Sequence, residues 1–469
     1  MWKRNENPAV PHVPVLIAIF PVSIIIKWYG YERKIMVEAV VLGLFAAGLV
    51  FSILKGFSIL YVLIFGYILF FRYGRYRGFG RKTLLELSVK GISRIKGILL
   101  TFVLIGMITS LWRAGGTIPF IIYYASRLSV PSLFVLLTFL LCSLISTLTG
   151  TSVGSAATVG IICMTISRAM QIPPYLEGGA ILSGIYVGDR CSPMSTSALL
   201  VSQVTGTDIF VNIRNMLKTA LVPFLLTCLI YLIGGFSVKR QADSSVWELF
   251  ARYFRLHWSV VLPAAAILLL SLLKVKVRTA MFVSILTSAL VCVLIQGIPV
   301  SALPRLMIFG YHASVPELSA IMDGGGIMSM AKVTAIVCLS SSYSQLLKKT
   351  GLLSGIQKLL TRFAETATPF GTMLLTSVLS AMASCNQTLS IILTDMLCHK
   401  LISNAEERAV SLENSVIVIA ALIPWSIACA APLSAAAAPL SSIPAACYLY
   451  LLPLWSLLAA LRKRRKNRS

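Results

Sequence analysis

Residues 177–203, EGGAILSGIYVGDRCSPMSTSALLVSQ, set one carboxylate where a membrane-like helix is interrupted. Gly184 and Gly188 lie four apart in an apolar pattern, which then breaks at Asp189-Arg190-Cys191-Ser192-Pro193. Pro193 removes a backbone donor and so frees carbonyls in the preceding turn, while Ser192 and Ser195 add hydroxyl oxygens. Carboxylate, hydroxyl and carbonyl oxygens together are what a hard cation such as sodium accepts as ligands. Asp189 is therefore read as the centre of a transport site, and as the sodium-binding group if the cargo is a cation. Its structural alternative is a permanent ion pair with Arg190 or Arg168.

Two further stretches carry similar chemistry. Residues 146–160, STLTGTSVGSAATVG, are small and hydroxyl-rich between apolar runs. They read either as a hairpin that turns back at Gly150-Thr151-Ser152 or as straight helices packed through Gly150 and Gly154. Residues 380–390, SAMASCNQTLS, interrupt a second apolar run, and the carbonyl oxygens of Asn386 and Gln387 could ligate a cation or serve interhelical hydrogen bonds. Glu413, with Asn414 beside it, is either a further site acid or a helix-start residue at the membrane interface, and Pro424 lies in another break. Asn386 follows Thr151 by 235 positions, Glu413 follows Glu177 by 236, and Pro424 follows Pro193 by 231. Three features in the same order suggest a duplicated unit meeting at a midplane site.

The elements that must position these residues are membrane helices. The 469 residues are 57% hydrophobic and 12% charged, with mean hydropathy +0.86, against about 25% charged residues in soluble domains. Uncharged tracts at 7–26, 128–167, 219–238, 279–304 and 414–461 are long enough for single or paired crossings. The fold class expected is an all-α polytopic membrane protein with about 11–13 transmembrane helices. The first crossings fall near 13–27, 36–54 and 56–71, and the proline-rich start is a membrane helix rather than a signal peptide. Arg113-Ala114-Gly115-Gly116-Thr117-Ile118-Pro119 marks another irregular point.

The net charge of +25 does not imply nucleic acid, because the basic residues separate apolar tracts instead of lining a soluble face. Clusters at Arg72–Lys96 and at 462–468 are expected in the cytoplasm, against anionic lipid. Ten cysteines are scattered without a Cys-x-x-Cys pair and read as free thiols. His12, His257, His312 and His399 show no metal-ligand spacing, and GFGRKT at 78–83 lacks the spacing of a phosphate loop. No enzyme is expected, nor any cofactor beyond a transported sodium ion and proton. The chain divides into N-terminal membrane helices with a basic cytoplasmic loop (1–96), a first transporter repeat with the Asp189 site (97–238), connecting helices (239–323), a second repeat (324–461) and a basic tail (462–469).

GAILSGIYVGDRCSPMS at 179–195, TGTDIFVNIRNMLKT at 205–219, WRAGGTIPFIIYY at 112–124, GTSVGSAATVG at 150–160, GGGIMSM at 324–330 and LEN with LIPW at 412–425 together resemble the NhaC-type sodium/proton antiporters, within the ion transporter superfamily. The resemblance implies two inverted repeats, each with a re-entrant hairpin and a broken helix, exchanging cations across the cytoplasmic membrane. Four positions depart from the family pattern. Thr196 and Asn414 stand where the family usually has acids, and Asn212 and Asn215 where it often has histidines.

The expected mechanism is secondary antiport by alternating access. Asp189 is occupied by sodium or proton in turn, with Thr151, Ser152, Ser192 and Ser195 completing one half-site and Asn386, Gln387, Glu413 and Asn414 the other. The alternative is coupled transport of a small organic anion or amino acid, whose carboxylate Arg113 or Arg190 could face. Expected partners are the lipid bilayer, that small solute and, as a homodimer, a second copy of the chain.

Overall fold

The computed structural model describes residues 37–38, 40–45, 47–49, 51–52, 57–93, 95–128, 131–236, 250–273, 275–313, 315, 318–319, 322–352 and 368–466. The expected crossing at 13–27 lies outside them.

Helices are the regular elements of the described residues, whose only isolated bridge joins Tyr311 to Gly324. Four helices are long and apolar enough to cross a bilayer, and several shorter apolar ones accompany them. The architecture is that of a polytopic membrane protein. In chain order the first helices are α1 (Ile59–Tyr76), α2 (Arg81–Ser93), α3 (Lys96–Ala114) and α4 (Thr117–Leu128). The basic stretch 72–96, expected as a loop, is mostly helix. Leu84, Ser88 and Gly91 form a buried face on α2, so its charges need only the opposite face. The break after Ala114 is real, with Gly116 in the left-handed region at φ +80.

A first hairpin follows. α5 (Pro131–Thr149) ends at Gly150, whose φ of +68 turns the chain, and α6 (Ser152–Ser155) continues through a π-helical turn (Ala156–Gly160) into α7 (Ile161–Ala169). α7 packs back on α5, which decides for a hairpin over straight helices. The first broken helix is α8 (Pro174–Cys191) and α9 (Thr196–Thr205). Gly184 and Gly188 let α8 lie directly on α5. A Cβ at Gly188 would sit 2.1 Å from the carbonyl carbon of Ser146, and one at Gly184 2.6 Å from Cys142 Cβ. Bare glycine faces permit such backbone contact in membranes.

α10 (Ile209–Phe236) is the longest helix, 28 residues. Leu221, Leu225, Leu229 and Ile233 stand exposed at four-residue intervals, a stripe that lipid would cover. α11 (Leu262–Leu272), α12 (Val277–Leu294), α13 (Leu303–Phe309) and α14 (Ala331–Thr350) connect the halves.

The second hairpin is α15 (Pro369–Ser384) and α16 (Gln387–Cys398); the second broken helix is α17 (Ala405–Asn414), α18 (Val416–Ala420) and α19 (Ile427–Ala435), and α20 (Cys447–Lys466) closes the chain. Hydrogen bonds repeat between the halves at constant spacing. At the hairpin tips, Gly150 N–H donates to Ser146 and Cys385 N–H to Ala381, while the Ser155 and Ser390 hydroxyls bond the carbonyls of Thr151 and Asn386, all 235 apart. At the broken helices, Ser195 N–H donates to Ser192 and Ser426 N–H to Ile423, 231 apart.

That second spacing corrects the alignment of Glu177 with Glu413. Their helices begin at Pro174 and Ala405, also 231 apart, so Glu177 corresponds to Arg408 and Glu413 to Leu182. The position equivalent to Asp189 is Ala420.

Candidate functional site

Asp189 is the third residue from the end of α8 and is 4% exposed. After Cys191 the chain turns through Ser192, Pro193 and Met194, and Ser195 caps α9. The cap brings hydroxyls back toward the aspartate. Ser197 Oγ lies 3.0 Å from Oδ2 and Ser195 Oγ 3.4 Å from Oδ1, and both hydroxyls also bond the Asp189 carbonyl. From the other half of the molecule, Gln387 Nε2 donates to Oδ2 at 3.1 Å. The backbone N–H of Ser152, at the first hairpin tip, faces the same carboxylate. Among the described residues no arginine or lysine pairs with Asp189. Arg168 instead bonds the carbonyl of Ala437, which removes one of the two structural alternatives.

The site is thus a buried carboxylate held by hydroxyls and amides from a broken helix and both hairpin tips. Such groups can change roles. A hydroxyl that donates to a carboxylate can rotate to offer its lone pairs to a cation, and a half-turn of the Gln387 amide presents Oε1 instead of Nε2. Asp189, Ser195, Ser197 and Gln387 could then form an oxygen shell for one hard cation.

The other expected residues are placed around this centre. Ser152 is buried at the tip. Thr151 and Asn386 use their side-chain oxygens as helix caps, accepting from Gly154 N at 2.8 Å and Leu389 N at 3.3 Å. Ser192 accepts from Met194 N inside the break, with Pro193 exposed in the turn and Pro424 half-buried in the second one. Thr196 is exposed, Asn212 is tied to Ser202 and Thr207, and Asn215 bonds Glu406. Arg113 bonds the carbonyls of Met322 and Asp323, away from this centre. Ser197 was not singled out from sequence, although its Ser-x-Ser spacing with Ser195 around a cap was the available signal.

Next to the seat lies a second polar group. Arg190 is fully buried, and its guanidinium donates to Tyr448 Oη, Thr219 Oγ1, the Met216 carbonyl and Asn414 Oδ1, all neutral acceptors. Its Nε has no partner, and neither carboxylate oxygen of the buried Glu413 has one. Asn414 and Thr219 also line a cleft of about 500 Å³ that opens between α10, α17 and α20, with Lys218, Glu407 and Lys463 toward its mouth. Glu407 and Lys463 are paired there at 3.1 Å.

Known proteins resemble this chain over most of its length. It is 28% identical to the malate-2H+/Na+-lactate antiporter of Bacillus subtilis strain 168 in an alignment of 403 residues that covers 82% of this chain and 86% of that protein. The Na+/H+ antiporter NhaC of Alkalihalophilus pseudofirmus is 25% identical over 409 residues, again 82% of this chain and 86% of the relative. The arginine/ornithine antiporter ArcD of Halobacterium salinarum is 28% identical over 269 residues, 55% of this chain and 56% of that one. A family model, that of the Na+/H+ antiporter family, matches residues 184–460, from the helix that carries Asp189 to the last helix of the fold, and the chain belongs to that family.

Proposed function

We propose that this protein is a secondary active transporter of the cytoplasmic membrane that exchanges sodium for protons by alternating access. Sodium sits at Asp189, and sodium and protons compete for the buried negative charge centred there. The observation that carries this reading is the Asp189 carboxylate itself. It is buried, free of any arginine among the described residues, and surrounded by groups from both halves that can turn oxygens toward a cation. Leaving such a charge uncompensated is costly, so the site favours states holding a cation or a proton. Loading one ion by expelling the other is what couples two gradients.

The duplicated hairpins and broken helices support two inverted repeats, 97–238 and 324–461, that rock about this centre. The relatives are transporters, in line with a chain that performs no covalent chemistry. Purified protein in liposomes, given a pH gradient and challenged in turn with sodium, potassium, lithium and small carboxylates, tests the reading. Sodium should dissipate the gradient, and Asp189→Asn should abolish the response while the protein still inserts. Retained exchange by that variant refutes the assignment of Asp189.

A second reading has its own observation in Arg190, a buried cation beside the seat whose hydrogen-bond acceptors are neutral. Together with two relatives named for malate and lactate or for arginine and ornithine, it supports exchange of a small organic anion or amino acid. Counterflow of labelled carboxylates separates the two.

A further inference from the structure

The cleft between α10, α17 and α20 is a space that exchange at Asp189 does not call for. Its shape follows from how α10 and α20 meet. At one end the pair is tied at Tyr231, whose hydroxyl lies 2.8 Å from the Ala445 carbonyl oxygen and accepts from the Cys447 N–H at 3.2 Å. Toward the other end they stand on either side of α17, and Ala459 and Ala460 put only a methyl each into the gap. About 500 Å³ is left there, the size of a small-ligand site. A second pocket of about 600 Å³ adjoins it, with Phe370, Glu407 and Lys463 as shared wall.

This open end meets the cytoplasm and the inner leaflet at once. α20 finishes in Arg462-Lys463-Arg464-Arg465-Lys466, a run that stays on the cytoplasmic side. Leu217 and Leu221 on α10, and Leu454 and Leu458 on α20, are exposed in the rows next to the cleft residues Lys218 and Trp455. Bilayer lipid covers those rows, so the gap between them opens onto acyl chains. Walls of Phe370, Trp455 and alanine favour an apolar filling over water.

The charges select the headgroup. Arg214 and Lys218 on α10 and the five basic residues 462–466 on α20 stand against two acids, Glu406 and Glu407. Glu407 is already paired with Lys463 at 3.1 Å. Lys218 is exposed at the cleft with no acid partner among the described residues. A phosphodiester supplies the missing anion, and each basic residue near such a group adds about fivefold in affinity. Glu406 bonds the neutral amide of Asn215 at 3.3 Å. That pair suits a hydroxylated headgroup, whose O–H groups can donate to the acid and accept from the amide. An ethanolamine or choline headgroup would instead bring a cation to a basic rim.

We propose that the cleft seats one anionic phospholipid of the inner leaflet, of the phosphatidylglycerol class. Its phosphate lies at Lys218, its glycerol hydroxyls face Asn215 and Glu406, and an acyl chain leaves over the rows of Leu221 and Leu458. The lipid would join α10, α17 and α20 at the side where their own side chains leave a gap. The seat is independent of the cargo carried at Asp189.

Native mass spectrometry of the full chain tests this, with the protein released from nanodiscs of phosphatidylcholine containing a small fraction of phosphatidylglycerol. Wild type should retain one phosphatidylglycerol under activation that strips phosphatidylcholine. Lys218→Ala should weaken that binding about fivefold. Ala459→Phe, which fills the cleft without changing any charge, should weaken it further. Lys82→Ala removes the same charge from α2, away from the cleft, and should leave the bound lipid unchanged. All three positions are exposed, and melting points equal to wild type show that each variant is folded.

Equal losses in Lys82→Ala and Lys218→Ala overturn the proposal, because basic charge alone would then hold the lipid. Wild type that retains no lipid, or retains phosphatidylcholine or phosphatidylethanolamine as well as phosphatidylglycerol, overturns it too. So does displacement of the lipid by an equal concentration of sn-glycerol 3-phosphate, which would make the cleft a site for a soluble anion.

Discussion

The two broken helices have the same scaffold and different chemistry. In the first, Asp189 stands at the break with Ser195 and Ser197 beyond it; in the second the equivalent positions are Ala420, Ser426 and Ala428. The backbone devices correspond, as Ser195 and Ser426 each cap the following helix, accepting from the N–H of Ala198 and of Ala428. What the second repeat lacks is the acid together with the hydroxyl of Ser197. It contributes instead across the centre, with Gln387 from its hairpin tip reaching the Asp189 carboxylate. The two halves thus share a frame with two openings, and only the first carries a carboxylate at its break.

Moving the acid is the strongest way to break this comparison. A protein carrying Asp189→Asn and Ala420→Asp has its carboxylate in the second opening, where Ala420 is wholly buried and Ala428 replaces the donor Ser197. It should show no exchange, and an unpaired buried charge there should cost about 3–5 kcal/mol of stability unless the acid stays neutral. Transport assays and melts in detergent read both effects. Recovered exchange would mean that the two openings are chemically equivalent after all.

The hairpin tips should respond alike, because their side chains serve the same structural purpose. Thr151→Ala and Asn386→Ala each remove one helix cap, and each should cost about 0.5–2 kcal/mol. Melts of the two variants side by side check this. If one loses sodium affinity far beyond its loss of stability, that residue is a ligand rather than a cap.

These outcomes bear on how much could be read from sequence. The first break was legible because proline, serines and an acid interrupt an apolar run, each with a local mechanism. The first tip was half legible: Gly150 suits a left-handed turn, but it suits close packing equally well. The second tip was harder, because Cys385 occupies the left-handed region at φ +54 and residue type gives no warning of that. The carbonyl oxygens of Asn386 and Gln387 are the same in sequence whether they cap, donate or ligate, and only the fold separates the two residues. Spacing misled in one place, since Glu177 and Glu413 align by count but stand at different depths of their helices. Glu177 is wholly buried in the first turn of α8 and accepts a hydrogen bond from Thr138 at 2.6 Å. The helix in the basic stretch 72–96 was hidden because its few small and apolar contacts are outnumbered by charge.

A third aspartate separates the effect of donors from that of burial. Asp323 lies before the glycine run, about one-third exposed, with Ala313 N–H and Ser319 Oγ each at 2.8 Å and His312 Nδ1 at 3.2 Å. These donors, the Ala313 N–H first among them, hold its carboxyl below the ordinary aspartate range. A lowered folded-state value means stability that is fully present above the range where an unfolded aspartate titrates. It is lost as pH falls through the lowered value. Asp323→Asn should therefore melt below wild type at neutral pH, and the difference should shrink on acidification, because the unfolded aspartate takes up its proton before the folded one does. Melts at neutral pH and at about pH 3 measure it. A gap of equal size at both would mean that the donors hold this loop by shape rather than charge.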